Sequence, residues 1–328
     1  MKKRTLRNTL VLVSAAFAVA GGTGVLAADA FPSKQIKLVV GFAPGGSHDI
    51  VARLLAQHLA PRLGQTVIVD NRVGAAGTIG ANYVIRSPAD GHILLVGSVS
   101  NMVITPVSME QTPFDPRKDF EPVVAPTTTP LLLVTKADSD LNSVQDVLKQ
   151  SKAKPGSLTF ASAGMGASNH LAGELLGKMA GVQLTHVPYK GDAPGVMSVM
   201  SGETNIMFST LPPALPHIQS GRLKVLAVAG AERLAGFPDA PTVAESGVPG
   251  FEVNIWNGVV APAGTPAEVV NKLNQEIRAI VSLPEVAERL QNMGFERISN
   301  SPAAFKAMIQ SDSDKWRSLA ESLGMVGK

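Results

Sequence analysis

Twice in this chain a β-branched run enters a loop of small residues and leaves it as a helix. The copies are Leu38-Val-Val-Gly-Phe-Ala-Pro-Gly-Gly-Ser-His-Asp49 and Leu158-Thr-Phe-Ala-Ser-Ala-Gly-Met-Gly-Ala-Ser-Asn169. The first amides of a helix have no partner inside it, and the helix dipole places partial positive charge beside them. Glycines at 45, 46, 164 and 166 remove the side chains that would hold an anion off, and Ser47, Ser162 and Ser168 add hydroxyls. The chemistry on offer is capture of an anion by groups of almost no formal charge. A hydrogen bond to a charged group contributes about 1.5–3 kcal/mol. Micromolar binding needs about 8 kcal/mol before ordering costs are met. One loop is therefore marginal, whereas two loops closing on one ligand from opposite lobes supply roughly four to six such bonds and expel water.

Each feature also has an ordinary explanation. Glycine-rich turns between strand and helix serve tight turning alone. His48 and His170 are candidate ligand contacts or satisfied core histidines. Asp49 suits a ligand amine or hydroxyl, or simply the first turn of a helix.

Catalytic alternatives fit less well. A dinucleotide site needs G-x-G-x-x-G, and here the run is Ala43-Pro44-Gly45-Gly46-Ser47-His48, although Asp70 follows on the next strand. Gly45-Gly46-Ser47-His48-Asp49 and Gly166-Ala167-Ser168-Asn169-His170 each miss the serine-hydrolase elbow G-x-S-x-G at the last glycine. The histidines at 48, 58, 92, 170, 186 and 217 show no H-x-x-x-H or H-E-x-x-H spacing. The absence of cysteine excludes disulfides, thiolate catalysis and a lipid-anchored cysteine.

The elements that would position the loops follow an α/β pattern. Strands are expected at 36–42, 67–69, 92–96 and 131–135, and again at 158–161, 185–187, 206–208 and 225–229. Asp49 to Leu63 reads as a helix, because Ile50, Val51, Leu54, Leu55 and Leu59 recur at three- and four-residue spacing. Further helices are expected at 169–179, 193–200 and 303–323. Thr265-Pro266-Ala267-Glu268 reads as a capping box opening a helix to about Ser282.

Residues 1–30 read as an export leader: a basic start (Lys2, Lys3, Arg4, Arg7), an apolar run from Leu10 to Ala20, and a small-x-small site at Ala28-Asp29-Ala30. Four of the chain's 29 basic residues and one of its 26 acidic residues lie there, leaving 25 of each in the remainder. A neutral mature chain offers no support for a nucleic-acid partner. About 300 residues suit two lobes.

The chain resembles the substrate-binding proteins of tripartite tricarboxylate transporters, the Bug-type receptors, over essentially its whole mature length. The opening Phe31-Pro-Ser-Lys-Gln-Ile36 followed by Val40-Gly-Phe-Ala-Pro-Gly-Gly-Ser-His-Asp-Ile50 carries the likeness first. Val69-Asp-Asn-Arg72, Gly74-Ala-Ala-Gly77, Pro88-Ala-Asp-Gly91 and Ser168-Asn-His-Leu171 extend it. His186-Val-Pro-Tyr-Lys-Gly191, Pro241-Thr-Val-Ala-Glu245 and Ala261-Pro-Ala-Gly-Thr-Pro266 complete the set.

The resemblance implies an α/β fold of the periplasmic-binding-protein type II class, each lobe a mainly parallel sheet flanked by helices. Lobe I would comprise 31–130 and 259–328, and lobe II 131–258, with hinges near 128–132 and 255–260. It implies a small mono-, di- or tricarboxylate bound between the lobes, with no catalytic step, cofactor or metal. The implied contacts are Pro44, Gly45, Gly46, Ser47 and Asp49, then Ser98 and Asn101, and in the second lobe Ala161, Ser162, Gly164, Gly166, Ser168 and His170. Where relatives often carry an aspartate after Ile206-Met-Phe208, this chain has Ser209, which points to a ligand without an amine. The implied setting is a periplasmic monomer that passes its ligand to membrane transporter subunits. A ligand sensor feeding a signalling system and a secreted nicotinamide or serine-hydrolase enzyme are the alternatives.

Overall fold

A computed structural model describes residues 31–108 and 114–322. The leader assigned to residues 1–30 and the end of the expected last helix, Leu323, lie outside the described residues.

The strands are β1 (Ile36–Val40), β2 (Val67–Asn71), β3 (Ile93–Ser98), β4 (Phe120–Pro130), β5 (Leu132–Lys136), β6 (Thr159–Ser162), β7 (Thr185–Pro188), β8 (Ile206–Ser209), β9 (Leu223–Val228), β10 (Asn254–Pro262) and β11 (Glu296–Arg297). The helices are α1 (Ser47–Leu63), α2 (Thr78–Ile85), α3 (Thr105–Ser108), α4 (Val144–Ala153), α5 (Ser168–Ala180), α6 (Asp192–Ser201), α7 (Leu211–Gln219), α8 (Ala267–Val281), α9 (Pro284–Asn292) and α10 (Pro302–Ser322).

Two sheets result, one of six strands ordered β11-β4-β10-β3-β1-β2 and one of five ordered β7-β6-β8-β5-β9. In the first, β1, β2 and β3 are parallel, β10 opposes β3 and β4 opposes β10, so four of six strands share a direction. In the second, β6, β7 and β8 are parallel and β5 opposes both β8 and β9, so four of five do. The chain leaves the first sheet at Pro130 and enters the second at Leu132. It returns between Val228 and Asn254.

Strand alternation explains the continuous apolar runs. Leu38 and Val40 pack on one face with Leu55, Leu59, Leu273 and Ile277, while Val39 packs on the other with Ala81 and Val84. Both faces of the strand are buried, so every residue along it but the half-buried Lys37 is apolar. Likewise Leu132 and Val134 face one core with Met207, whereas Leu133 faces another with Phe160 and Phe208.

The structure corrects one helix start. Pro266 caps α8 at φ −55°, ψ 139°, with no side-chain capping bond, and its carbonyl accepts the Val269 and Val270 amides at 3.0 and 3.1 Å. Thr265 Oγ1 instead donates backward to Pro262 O at 2.7 Å, so the expected capping box does not form.

Candidate functional site

The two repeated loops leave the carboxyl ends of β1 and β6, each flanked by neighbours on both sides. The crevice outside such strand ends is where open α/β sheets bind ligands.

In the first loop Gly45 sits at φ 86°, a left-handed geometry that favours glycine, and Gly46 at φ −81°, ψ 172° caps α1. Asp49 is 3% exposed and organises the turn. Its carboxylate accepts the Gly45 amide at 3.0 Å, Arg53 Nε at 2.8 Å and Nη2 at 3.0 Å, and Asn71 Nδ2 at 3.0 Å. Burial alone would raise its pKa, but the bonds from Arg53, Gly45 and Asn71 outweigh this and hold it below the usual carboxylate value. The carboxylate thus belongs to the loop and is not free for a ligand amine.

Ser47 Oγ lies 3.4 Å from His48 Nδ1, yet the adjoining acid is committed to Arg53 and Asn71, so the histidine has no orienting carboxylate of the kind a hydrolytic triad needs. His48 stacks on Phe42 with ring centroids 4.7 Å apart, and burial lowers its pKa to about 4. It is neutral at neutral pH.

The second loop is tied internally. Ser162 Oγ accepts the Gly164 amide at 3.1 Å, donates to Gly164 O at 3.1 Å and lies 2.6 Å from His186 Nε2. Asn169 Oδ1 accepts the Ala163 amide at 3.0 Å. The Gly166 amide donates to His170 Nδ1 at 3.0 Å, and the His170 ring stacks on His186 at 3.9 Å. Desolvation, then the neighbouring His170, lowers the His186 pKa to about 4.

The amides of Gly45, Gly164 and Gly166, and that of Ser168 at the start of α5, are therefore taken, so the expectation of free amides at a helix start is not met in the second loop. At the start of α1 it is met: among the described residues the Gly46, Ser47 and His48 amides have no acceptor.

Contacts from the first sheet's loops to the second's join the two halves. Ser100 Oγ donates to Ser168 Oγ at 2.9 Å and accepts the Ser168 amide at 2.8 Å. Thr105 Oγ1 donates to Gly166 O at 3.2 Å, and the Ala43 amide donates to Lys190 O at 3.2 Å.

Between these contacts lies a hollow of ≈ 230 Å³, bounded by Gly41, Phe42 and 73–77 on one side and by 163–165, Tyr189 and Lys190 on the other. The 73–77 segment is strained. Ala75 and Ala76 adopt φ 45° and 48°, and Gly74 and Gly77 φ 137° and 92°. Non-glycine residues in this region cost about 1–3 kcal/mol each and cluster at ligand clamps. A Cβ on Gly41 would lie 2.6 Å from Gly77 Cα, so only glycine lets the segment approach β1 this closely.

Of the implied site residues, Gly164 lines the hollow directly. Asn101 backs it: a Cβ on Gly77 would sit 2.8 Å from Asn101 Cβ and 3.1 Å from its Nδ2. Asn101 Oδ1 accepts the Ser98 amide at 2.8 Å, and its Nδ2 is buried without a partner among the described residues. Pro44, Gly45, Gly46, Ser47 and Asp49 form the adjoining start of α1. Ala161, Ser162, Gly166, Ser168 and His170 shape the second loop. Ser98 accepts the Ser100 amide through Oγ at 3.2 Å, and Ser209 Oγ, fully buried, donates to Thr210 O at 2.9 Å.

Sequence reasoning missed two contributors. The 73–77 segment carried a motif, Gly74-Ala-Ala-Gly77, but no polar side chain to mark it as a wall. Asp192, whose Oδ1 and Oδ2 accept Asn169 Nδ2 at 2.7 Å and Thr210 Oγ1 at 2.6 Å, joins the starts of α5 and α6 to the end of β8. Desolvation raises its pKa, partly offset by these bonds.

A larger hollow of ≈ 670 Å³ is lined by residues of α4, β6, α5 and the turns around them, Lys152, Glu174 and Lys178 among them. Its walls come from the second sheet's side alone. Among the described residues no group of acids and histidines could hold a metal ion, and no helix is long and apolar enough to cross a membrane.

Two mixed sheets with strand-end loops meeting over a small hollow define the class of two-lobed solute-binding proteins. The model of the tripartite tricarboxylate transporter family receptors matches residues 51–325, and the chain belongs to that family. A UPF0065 protein from the tcbD-tcbE intergenic region of Pseudomonas sp. (strain P51) is 39% identical over 292 residues, 89% of this chain and 87% of that protein. Among solved structures, Rpa4515 of R. palustris with adipate has a TM-score of 0.88 at 33% identity, covering 91% of this chain and 100% of that one. MatC from Rhodopseudomonas palustris with bound malate has a TM-score of 0.85 at 31% identity, covering 88% and 99%.

Proposed function

We propose that the protein is a periplasmic receptor that captures a small organic carboxylate between two lobes and delivers it to a membrane transporter, without catalysing a reaction. The observation that carries this reading is the hollow of ≈ 230 Å³ where loops from the two sheets face each other. Hydrogen bonds join those loops at Ser100–Ser168, Thr105–Gly166 and Ala43–Lys190. Adipate and malate in the related structures support a carboxylate as the ligand.

Lobe I comprises 31–130 and 259–328, and lobe II 131–258. The hinge near 128–132 fits the passage from β4 to β5; the one near 255–260 falls at the start of β10, just after the chain has returned between Val228 and Asn254. The carboxylate is held by the free amides at Gly46 and Ser47 and by Asn101 Nδ2, while Gly164 walls the hollow on the other side. Asp49, Ser162 and His170 hold those loops in shape. Cleavage near Ala28–Ala30 releases the mature receptor, which acts as a monomer.

A thermal-shift screen of organic acids, amino acids, sugars and NAD tests the reading. A ligand at ten to a hundred times its Kd raises stability by about 1.4–2.7 kcal/mol. Organic acids are expected to give the shifts; a shift with NAD or sugars and none with any acid overturns the proposal.

A further inference from the structure

We infer that the captured acid has a hydrocarbon body, aliphatic or aromatic, with no hydroxyl or amine beside its carboxylate. The inference rests on the receptor reading and narrows it. Phe42, Val73, Ala75, Ala76, Ala163 and Met165 give the hollow its side-chain walls, and glycines complete the surface. The one charged side chain at its edge, Lys190, is exposed to water. Tyr189 also borders the hollow, and its hydroxyl, beside Ser198 and Glu203, is buried without a hydrogen bond among the described residues.

The carboxylates and hydroxyls of the two loops are already committed. Asp49 is taken by Arg53, Asn71 and the Gly45 amide. Asp192 is taken by Asn169 and Thr210. Ser162 serves His186 and Gly164, and Ser168 serves Ser100. Among the buried polar atoms without a partner in the described residues, Asn101 Nδ2 lies against Gly77 of the wall and suits a carboxylate oxygen. A hydroxyl or ammonium on the ligand's body, set against Phe42, Val73, Ala75, Ala76, Ala163 and Met165, would give up water and gain no side-chain partner from that wall, a loss of about tenfold to a hundredfold in affinity.

The size agrees. A hydrocarbon-lined cavity of about 150 Å³ holds a benzene ring, so ≈ 230 Å³ leaves room for a ring or short chain with its carboxylate.

Isothermal titration of the mature chain with matched acids tests this. Succinate is compared with malate and aspartate, and phenylacetate with mandelate; adipate and citrate extend the range. In whichever set binds, the plain acid is expected to bind at least tenfold more tightly than its hydroxy or amino counterpart. Equal or tighter binding of malate, aspartate, mandelate or citrate overturns the inference and leaves the receptor reading standing. No binding by any acid overturns both. Met165 is 66% exposed, so Met165→Ala leaves the fold intact and is expected to weaken the plain acid by about threefold to tenfold. Unchanged affinity would contradict its place in the wall.

Discussion

The Ser100 hydroxyl serves the Ser168 hydroxyl and amide at once, at 2.9 and 2.8 Å, and so ties the end of the first sheet's third strand to the start of α5. Both residues are at most 5% exposed. Such a bond forms when the halves meet and breaks when they part, so it weighs on the equilibrium between open and closed states.

Ser100→Ala leaves the Ser168 amide without its acceptor in the closed state alone. Ligand affinity is expected to fall by about fivefold to thirtyfold, the equivalent of about 1–2 kcal/mol. The melting temperature without ligand should move little. Titration calorimetry on the variant checks this, and unchanged affinity would remove the latch role.

Gly46 and Gly41 separate binding from folding. A Cβ on Gly46 meets nothing closer than Ala43 O at 3.8 Å, and its φ of −81° suits any residue. Gly46→Val is expected to fold with nearly wild-type stability and to lose ligand binding by crowding the free amides. A Cβ on Gly41 would strike Gly77 Cα at 2.6 Å and O at 2.7 Å, backbone that cannot step aside. Gly41→Ala should therefore cost about 2–4 kcal/mol in urea denaturation.

Asp49→Ala strips partners from Arg53, Asn71 and the Gly45 amide together. A loss of about 2–4 kcal/mol of stability is expected, because the amides left behind are partly buried. A variant as stable as wild type would show that the acid does not build the loop.

His48 makes stability depend on pH. Its pKa is about 4 in the fold against 6.5 in the open chain, so the unfolded state binds more protons between those values. Stability is complete above pH 6.5 and declines as pH falls toward 4. From pH 7 to pH 5 the loss from His48 is about 2 kcal/mol. Urea midpoints at the two pH values check the sign, and His48→Gln should shrink the difference by about that amount, leaving the part due to His186, whose pKa is also lowered to about 4.

The sequence revealed those elements whose signal was local. The eight strands read from β-branched runs are present within a few residues, and α1 begins two residues before its expected start. Two of the missed ones hid behind proline. β4 carries Pro122, Pro126 and Pro130, which read as loop; Pro126 falls in the register shift opposite Gly258, where no ladder bond is required. Pro212, Pro213 and Pro216 concealed α7 in the same way. Glycines and serines marked the two loops that leave the carboxyl ends of β1 and β6. Whether an amide is free depends on a distant or folded-back partner such as His170 or Asp49, and spacing alone does not encode that. The Gly74–Gly77 wall was invisible as chemistry because its contribution is backbone shape.

A crystal structure grown with the tightest-binding organic acid is the most direct test of the account. The account predicts the acid in the hollow between Phe42 and Gly164, its carboxylate within hydrogen-bond reach of the loops at 43–47, 73–77 and 163–166. An acid found instead in the outer hollow beside Lys152 and Lys178 would contradict it.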